Sequence, residues 1–476
     1  MSCVQTDGRA AQILRALLDA ALAETGGKQR VLAALRSHPE RFDAVIAIGK
    51  AAASMLEGAL DVLPDAHALL ITKDGHVSSA LRHRVGVEVI EAGHPLPDAR
   101  SLEAGWRLLA FIAAAPAESP VLFLLSGGAS SLVEVLPEGV SLADWQRVNA
   151  WLLCSGLDIH AMNAVRKRLS CIKGGRLLEH LGGRPALVLM ISDVPGDDPA
   201  SIGSGLLSPC PAVPLPQNLP DGVRGLLDAA PPMPALDDAR WASVDARILA
   251  SNATALDGAV RAALCLGVPI HRHDEFLRGD AAKTGARLAR ELIHGAPGVH
   301  LWGGETTVNL PEHPGRGGRN QHLALSAALA LEGQAGVTLL AAGTDGTDGA
   351  TQDAGACVDG ATVTAIRAVG IDPEEALRNA DSGTVFAAVD ALIRSGPTGT
   401  NVMDVCWRLS PHDPASFAKL RATFIPSCRL FRDRHEKNSH TFCAQSDRLF
   451  AHWRRAYCLV FLPLRPPSWW RFCAAS

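Results

Sequence analysis

The sequence predicts an α/β protein of two domains, and three observations carry that prediction. The chain is 476 residues long, more than one hydrophobic core ordinarily serves. Short apolar runs rich in Val, Ile and Leu recur along it, and each ends abruptly in a polar, Gly-rich loop. Alanine- and leucine-rich helical stretches, such as AAASMLEGALDVL and QHLALSAALALEG, separate the runs. Continuous apolar runs of about four to eight residues suit strands buried on both faces, which means a parallel sheet covered by helices.

The runs appear in order at AVIAIGKAAASM (44–55), ALLITKDGHVSS (68–79), VEVIEAGHPLPD (87–98), VLFLLSGGASS (121–131) and ALVLMISDVPGDDPA (186–200). Two more follow at VHLWGGETT (299–307) and VTLLAAGTDGTDG (337–349). Every polar loop lies beyond the carboxyl end of its strand, where open parallel sheets bind ligands. Eight prolines fall between Pro209 and Pro234, an irregular connection that sets the expected domain division. Residues 1–235 are then a Rossmann-like first domain and 236–403 a smaller α/β second domain.

Residues 404–476 read differently. They hold 12 Lys and Arg against 5 Asp and Glu, five of the eleven Cys, four of the nine Trp, and no Gly. Such a basic, aromatic tail suits contact with nucleic acid or membrane, or a segment never selected to fold, such as out-of-frame translation. The abruptness of the change favours the second, so the tail is expected to stand outside the fold.

Composition narrows the class. Hydrophobic residues make up 47% and charged ones 20%, as in soluble globular proteins. A net charge of -4 gives no reason to expect nucleic acid. No signal-peptide core and no membrane-length apolar run is found, so no membrane partner is expected and a cytoplasmic location follows by default. The cysteines form no C-x-x-C pair, and Cys154, Cys171, Cys265 and Cys357 read as core thiols.

Several chemistries lack their motifs: there is no P-loop, no protein-kinase H-R-D or D-F-G, no G-x-S-x-G and no H-E-x-x-H. The Gly-rich loops also fail to match G-x-G-x-x-G, which weakens any nicotinamide-cofactor reading. What remains is a set of loops rich in Lys, Arg, Asp and Gly. In GGETTVNLPEHPGRGGRNQ (303–321), Glu305 and Arg319 stand among bare backbone, the composition of a site for a highly anionic ligand. Gly49-Lys50 follows the first strand and opens a helix, as does the cradle from Ser126 through Gly127 and Gly128 to Ser131. Arg166 and Lys173 share roughly one helical face. Asp193, Asp197 and Asp198 lie beyond one strand and Asp345 and Asp348 beyond another, hard oxygen ligands that suit Mg2+. Either aspartate loop alone is more commonly a turn with Asx hydrogen bonds, but both together with Glu305 and Arg319 make a turn-only reading poor.

Nine stretches in order carry a resemblance: AIGKAAASM, TKDGH, EAGHPLPD, LLSGGASSL, NAVRKRLSCIKGGRL, ISDVPGDDPASIGSG, GGETTV, GRGGRNQ and GTDGTDGATQDAGA. Together they resemble the glycerate 2-kinase family, whose C-terminal part carries a MOFRL-type domain, over about residues 10–403. The resemblance implies phosphorylation of D-glycerate at its 2-hydroxyl by ATP and Mg2+, with the active site in the interdomain cleft. On that basis Lys50 neutralises the transferred phosphoryl group or the glycerate carboxylate, and Arg319 stabilises the transition-state oxygens. Asp193 and Glu305 hold the metal, and one of them orients the 2-hydroxyl. Lys73 and Ser126, Gly127, Gly128 and Ser130 cradle phosphates, and Asn163 and Arg166 complete the glycerate end. Lys173, Gly304, Asn320 and Asp345 join the binding set. Two other readings stay open: an oxidoreductase acting on hydroxypyruvate or tartronate semialdehyde, and an inactive nucleotide-binding homologue. A homodimer is left open as well.

Overall fold

The computed structural model describes residues 8–410 except Pro39, Asp158, Asp228 and His294. Residues 411–476, most of the expected tail, lie outside the described residues.

Two sheets organise the chain. The first contains β1 (Ala44–Ile48), β2 (His67–Lys73), β3 (Val87–Ala92), β4 (Val121–Ser126), β5 (Ala186–Ile191) and β6 (Val244–Ala250). Their order is β3-β2-β1-β4-β5-β6, and every neighbouring pair is parallel. The apolar runs behave as expected: β1, β4 and β5 are buried at every residue, with Ile46, Phe123 and Val188 in one core. The chain moves outward from β1 through β2 to β3, then returns to place β4 on the other side of β1. A crevice therefore opens beyond the carboxyl ends of β1 and β4, the switch point of a doubly wound sheet.

The second sheet contains β7 (Ile270–Arg272), β8 (Gly298–Gly304), β9 (Thr338–Gly343), β10 (Gly355–Asp359), β11 (Leu392–Ile393) and β12 (Asp404–Ser410), in the order β11-β10-β9-β12-β8-β7. Only β7 and β8 pair in parallel; β12 runs antiparallel to both β8 and β9. The helices Ala281–Ile293 and Arg319–Ala330 cover one face, where Trp302, Leu325, Ala341 and Phe386 form the core. Helices Gly8–Thr25 and Asn252–Leu266 pack against each other and on the second sheet. Among the described residues no helix is long and apolar enough to cross a membrane.

Three expectations about boundaries need correction. The first sheet extends beyond residue 235, because β6 pairs with β5 through Ile191↔Ala250. The helix Gly8–Thr25 packs on the second sheet, so the second structural half is not one continuous segment, whereas β1 to β6 run without interruption from residue 44 to 250. Most consequentially, residue 404 does not begin a foreign tail. Asp404–Ser410 is buried throughout and fills the gap between β8 and β9. Burial is decided by the strand's position, not by its composition, and the composition fits poorly. Arg408 is 1% exposed, its three guanidinium nitrogens find no partner among the described residues, and burial pulls its pKa down to about 10. An unpaired buried charge costs several kcal/mol, present at every pH below that value.

Two outcomes are expected from β12. A chain ending at Met403 should lose the cooperative thermal transition that a chain ending at Ser410 retains, because two open strand edges would remain in the core of the second sheet. Arg408→Met should raise stability by about 1–4 kcal/mol in denaturant titration, by removing an uncompensated charge.

Candidate active site

The first sheet delivers its polar residues through tight backbone approaches. Gly49, at φ 125°, brings the β1 loop against β4: a Cβ there would stand 2.3 Å from Ser126 Oγ and 2.4 Å from its carbonyl oxygen. The Lys50 amide then donates to the Gly127 carbonyl at 2.9 Å. Gly127 is equally constrained, since a Cβ would fall 1.6 Å from Asp193 Oδ2. Lys50, the Ser126–Gly128 loop and Asp193 therefore meet at one point because glycines leave the room.

The second sheet completes the site by register. Asp404 pairs with Gly304 of β8 and with Gly343 of β9, so Glu305, Thr344 and Asp404 emerge side by side at one end of the sheet. Arg319 opens the helix Arg319–Ala330 and is held from two sides. Its Nε and Nη2 donate to the two Asp404 oxygens at 2.5 and 3.0 Å, and its Nη1 pairs with Glu305 Oε1 at 2.7 Å. Behind it, Asp348 caps the helix by accepting from the Asn320 and Gln321 amides at 3.0 and 2.8 Å.

The two halves touch across the cleft. Lys50 Nζ pairs with Asp345 Oδ2 at 2.8 Å, and the Asn401 amide donates to Asp193 Oδ2 at 3.0 Å. Charge states follow from this crowding. Burial pushes Asp193 and Glu305 above the usual carboxylate range, while Lys50 and Arg319 respectively oppose that rise. Burial works against the charge on Arg319, but Asp404 and Glu305 outweigh it and push its pKa up. Asp345 is held low by Lys50 in spite of burial. Burial and then Lys50 depress Lys73. His94 is pushed down to about 3 by burial, Lys50 and Lys73, so it stays neutral in the working range.

Of the residues expected from sequence, Lys50, Gly127, Gly128, Asp193, Gly304, Glu305, Arg319 and Asp345 come together here, with Lys73 close enough to sense Lys50 and Asp345. Four others serve the scaffold. The Ser126 hydroxyl is fully buried and accepts from the Ala51 amide at 3.0 Å. Ser130 Oγ bonds Ser204 Oγ at 2.5 Å. Lys173, 1% exposed, pairs with Glu134 at 2.6 Å and donates to the Ser130 carbonyl, so it braces the loop from inside. Asn320 is 3% exposed and turns its amide to Asp348. Arg166 bonds only the Asn149 and Asn163 side chains, at 3.3 and 3.4 Å, and has no carboxylate partner among the described residues. Nothing links Arg166 directly to Lys50 or Arg319.

Sequence reasoning missed Asp404, Asn401, His76 and His94. Both histidines stand in quoted loop stretches beyond β2 and β3, which was the available signal: His76 Nδ1 lies 3.2 Å from the Lys50 carbonyl oxygen, and the His94 ring borders Gly128.

Cations from two sheets, recessed carboxylates and close backbone across one cleft are the parts of a phosphoryl-transfer enzyme, which works by positioning and charge neutralisation. A family model described as a domain of unknown function (DUF4147) matches residues 10–217, and one described as the MOFRL family matches residues 298–404. The chain is 37% identical to the D-glycerate 2-kinase of Thermotoga maritima, over 76% of this chain and 89% of that protein. An Agrobacterium vitis protein provisionally named hydroxypyruvate reductase is also 37% identical, over 84% and 94%. The crystal structure of Thermotoga maritima glycerate kinase superposes with a TM-score of 0.71 at 33% identity, covering 84% of this chain and 99% of that one. The chain belongs to the glycerate kinase family, and it is a kinase.

Asp404 acts on Arg319 by holding its guanidinium. Asp404→Asn should therefore slow turnover at least about tenfold, ~1.4 kcal/mol, with a far-UV circular dichroism spectrum like that of the wild type. Unchanged turnover would show that Glu305 alone positions Arg319.

Proposed function

We propose that the protein transfers the γ-phosphoryl group of ATP to the 2-hydroxyl of D-glycerate in the cytoplasm, giving 2-phosphoglycerate and ADP. The observation that carries this reading is the meeting of Lys50 and Arg319, from different sheets, in one cleft walled by Asp193, Glu305, Asp345 and Asp404.

The protein's own carboxylates partner both cations. An anionic substrate entering the cleft exchanges with Asp345 on Lys50, so its charge is met by a partner already in place. Arg319, fixed by Asp404, offers planar N–H donors to the equatorial oxygens of the transferred group. Asp193, buried beyond β5 and held by the Asn401 amide, orients the 2-hydroxyl. Arg166, with amide partners alone, binds the glycerate carboxylate.

Mg2+ fits the residues present. Among the described residues no three His, Cys, Asp or Glu side chains converge into a ready-made metal site. Mg2+ ordinarily takes one or two carboxylates and leaves the rest of its shell to water and phosphate oxygens. Glu305 and Asp193, the second near enough to raise the pKa of the first, are the carboxylates that would hold it. When bound it neutralises phosphate charge.

The name of the Agrobacterium vitis relative favours a second reading, reduction of hydroxypyruvate. The first strand–helix turn, Gly49-Lys50-Ala51-Ala52-Ala53-Ser54, aims a lysine into the cleft where a dinucleotide fingerprint would present glycines.

The test is direct: purified protein with ATP, Mg2+ and D-glycerate should release ADP and yield the 2-phosphate isomer. NADH consumption with hydroxypyruvate, with no coupling enzyme and no kinase activity, would reverse the assignment. Lys50→Ala and Arg319→Ala should each lower kcat at least a hundredfold, about 2.7 kcal/mol, with thermal unfolding preserved. Near-normal turnover in either variant removes that residue from the mechanism.

A further inference from the structure

Beside the charged cleft lies a second, chemically different space. An open cavity of about 200 Å³ is lined by the Val194–Asp197 turn, the first turns of the helix Asn252–Leu266, the segment Arg272–Phe276, Gly303 and Met403. Its lining neighbours the catalytic acids in sequence: Val194 follows Asp193, Met403 precedes Asp404, and Gly303 stands two residues before Glu305. The cavity therefore adjoins the strand ends that carry those acids.

Its electrostatics are opposite to those of the Lys50–Arg319 region. Asp197 and Asp274 line it together with Glu275, which is paired with Arg287 at 2.6 Å, and the lining arginine, Arg272, is already paired with Asp257. Such a wall repels polyphosphate and the glycerate carboxylate. Much of the remaining lining is apolar or aromatic: Val194, Pro195, Leu256, Phe276 and Met403, together with the His273 ring. That imidazole stacks on Trp302, with centroids 4.1 Å apart and planes 5° from parallel. Burial and then His271 lower its pKa, which disfavours the charged imidazolium. A mixed wall of apolar side chains, an imidazole plate and carboxylate acceptors suits a neutral planar ring bearing an amino group, and a sugar diol.

We propose that this cavity receives the adenine base and ribose of the nucleotide, its phosphates running out toward Lys50 and Arg319. The proposal rests on the kinase reading above, and it divides the cleft into a nucleoside end walled by acids and a phosphoryl end walled by cations. Gly196 leaves backbone bare on one side of the space, and on the other the room left by Gly303 is taken by Asn252. A Cβ on Gly303 would overlap Asn252 Oδ1, so that wall admits no side chain.

Ala253 offers a clean test, because its side chain lines the cavity yet is exposed on the helix surface, so enlarging it fills the space without entering the core. Binding of Mg2+–ADP and of inorganic tripolyphosphate would be measured by calorimetry for the wild type and for Ala253→Trp, with the D-glycerate KM alongside. The expected result is at least a tenfold loss of ADP affinity, with tripolyphosphate affinity and the glycerate KM within twofold of wild type and an unchanged melting temperature. Phe276→Ala should weaken ADP in the same selective way. ADP bound equally by wild type and Ala253→Trp overturns the nucleoside site and leaves the kinase reading standing. Equal losses for ADP and tripolyphosphate also overturn it, since the cavity would then be holding phosphate. A wild-type protein that binds no ADP overturns the kinase reading and the site with it.

Discussion

The insertion of β12 between β8 and β9 is the constraint on which the active cleft depends. β8 and β9 run in the same direction, so their carboxyl ends, with Glu305 and Thr344-Asp345, already face one way. An antiparallel strand between them must begin where they end, and its first residue is Asp404. Backbone pairing thereby sets a carboxylate beside Arg319 without any loop having to be rigid. The strand tolerates a buried, unpartnered Arg408 at its middle, which shows how strongly ladder hydrogen bonds on both sides hold it in place.

Charge compensation governs the cleft in a second way. Arg319 sits between two carboxylates and Lys50 against one, so each cation is desolvated only in company. A substrate need not pay for stripping water from a naked charge; it exchanges with a carboxylate already there. The same crowding depresses Lys73 and His94 and raises Asp193 and Glu305, groups that would be unremarkable on the surface. Because Lys50–Asp345 and Asn401–Asp193 both bridge the two sheets, the residues that handle the ligand are also those that join the halves of the protein.

Much of this could be read from the chain. The buried runs of β1, β4 and β5 announce a parallel sheet, and the loops after them carry Lys50, Gly127 and Asp193. Glycine was the informative residue: Gly49 and Gly127 are required by approaches under 2.5 Å. Polar side chains in those loops were harder to assign. Ser126 and Lys173 stand in the same kind of sequence as Lys50, yet one bonds a backbone amide and the other a buried glutamate. A polar residue near a tight turn satisfies either the turn or a ligand, and spacing does not say which way it points.

The sequence by itself determined the α/β class, the strands buried on both faces and the set of loops at their carboxyl ends, because hydrophobic periodicity and glycine placement are local properties of the chain. Tertiary structure alone decided that Asp404–Ser410 is a central strand, that the helix Gly8–Thr25 covers the second sheet, and that Asp404 and Asn401 face the cleft. Those outcomes depend on pairing between residues far apart in the chain. The composition of β12, with Trp407 and Arg408 in place of a continuous apolar run, carries no local sign of its burial. What buries it is the vacancy between two strands that cannot otherwise satisfy their backbone hydrogen bonds.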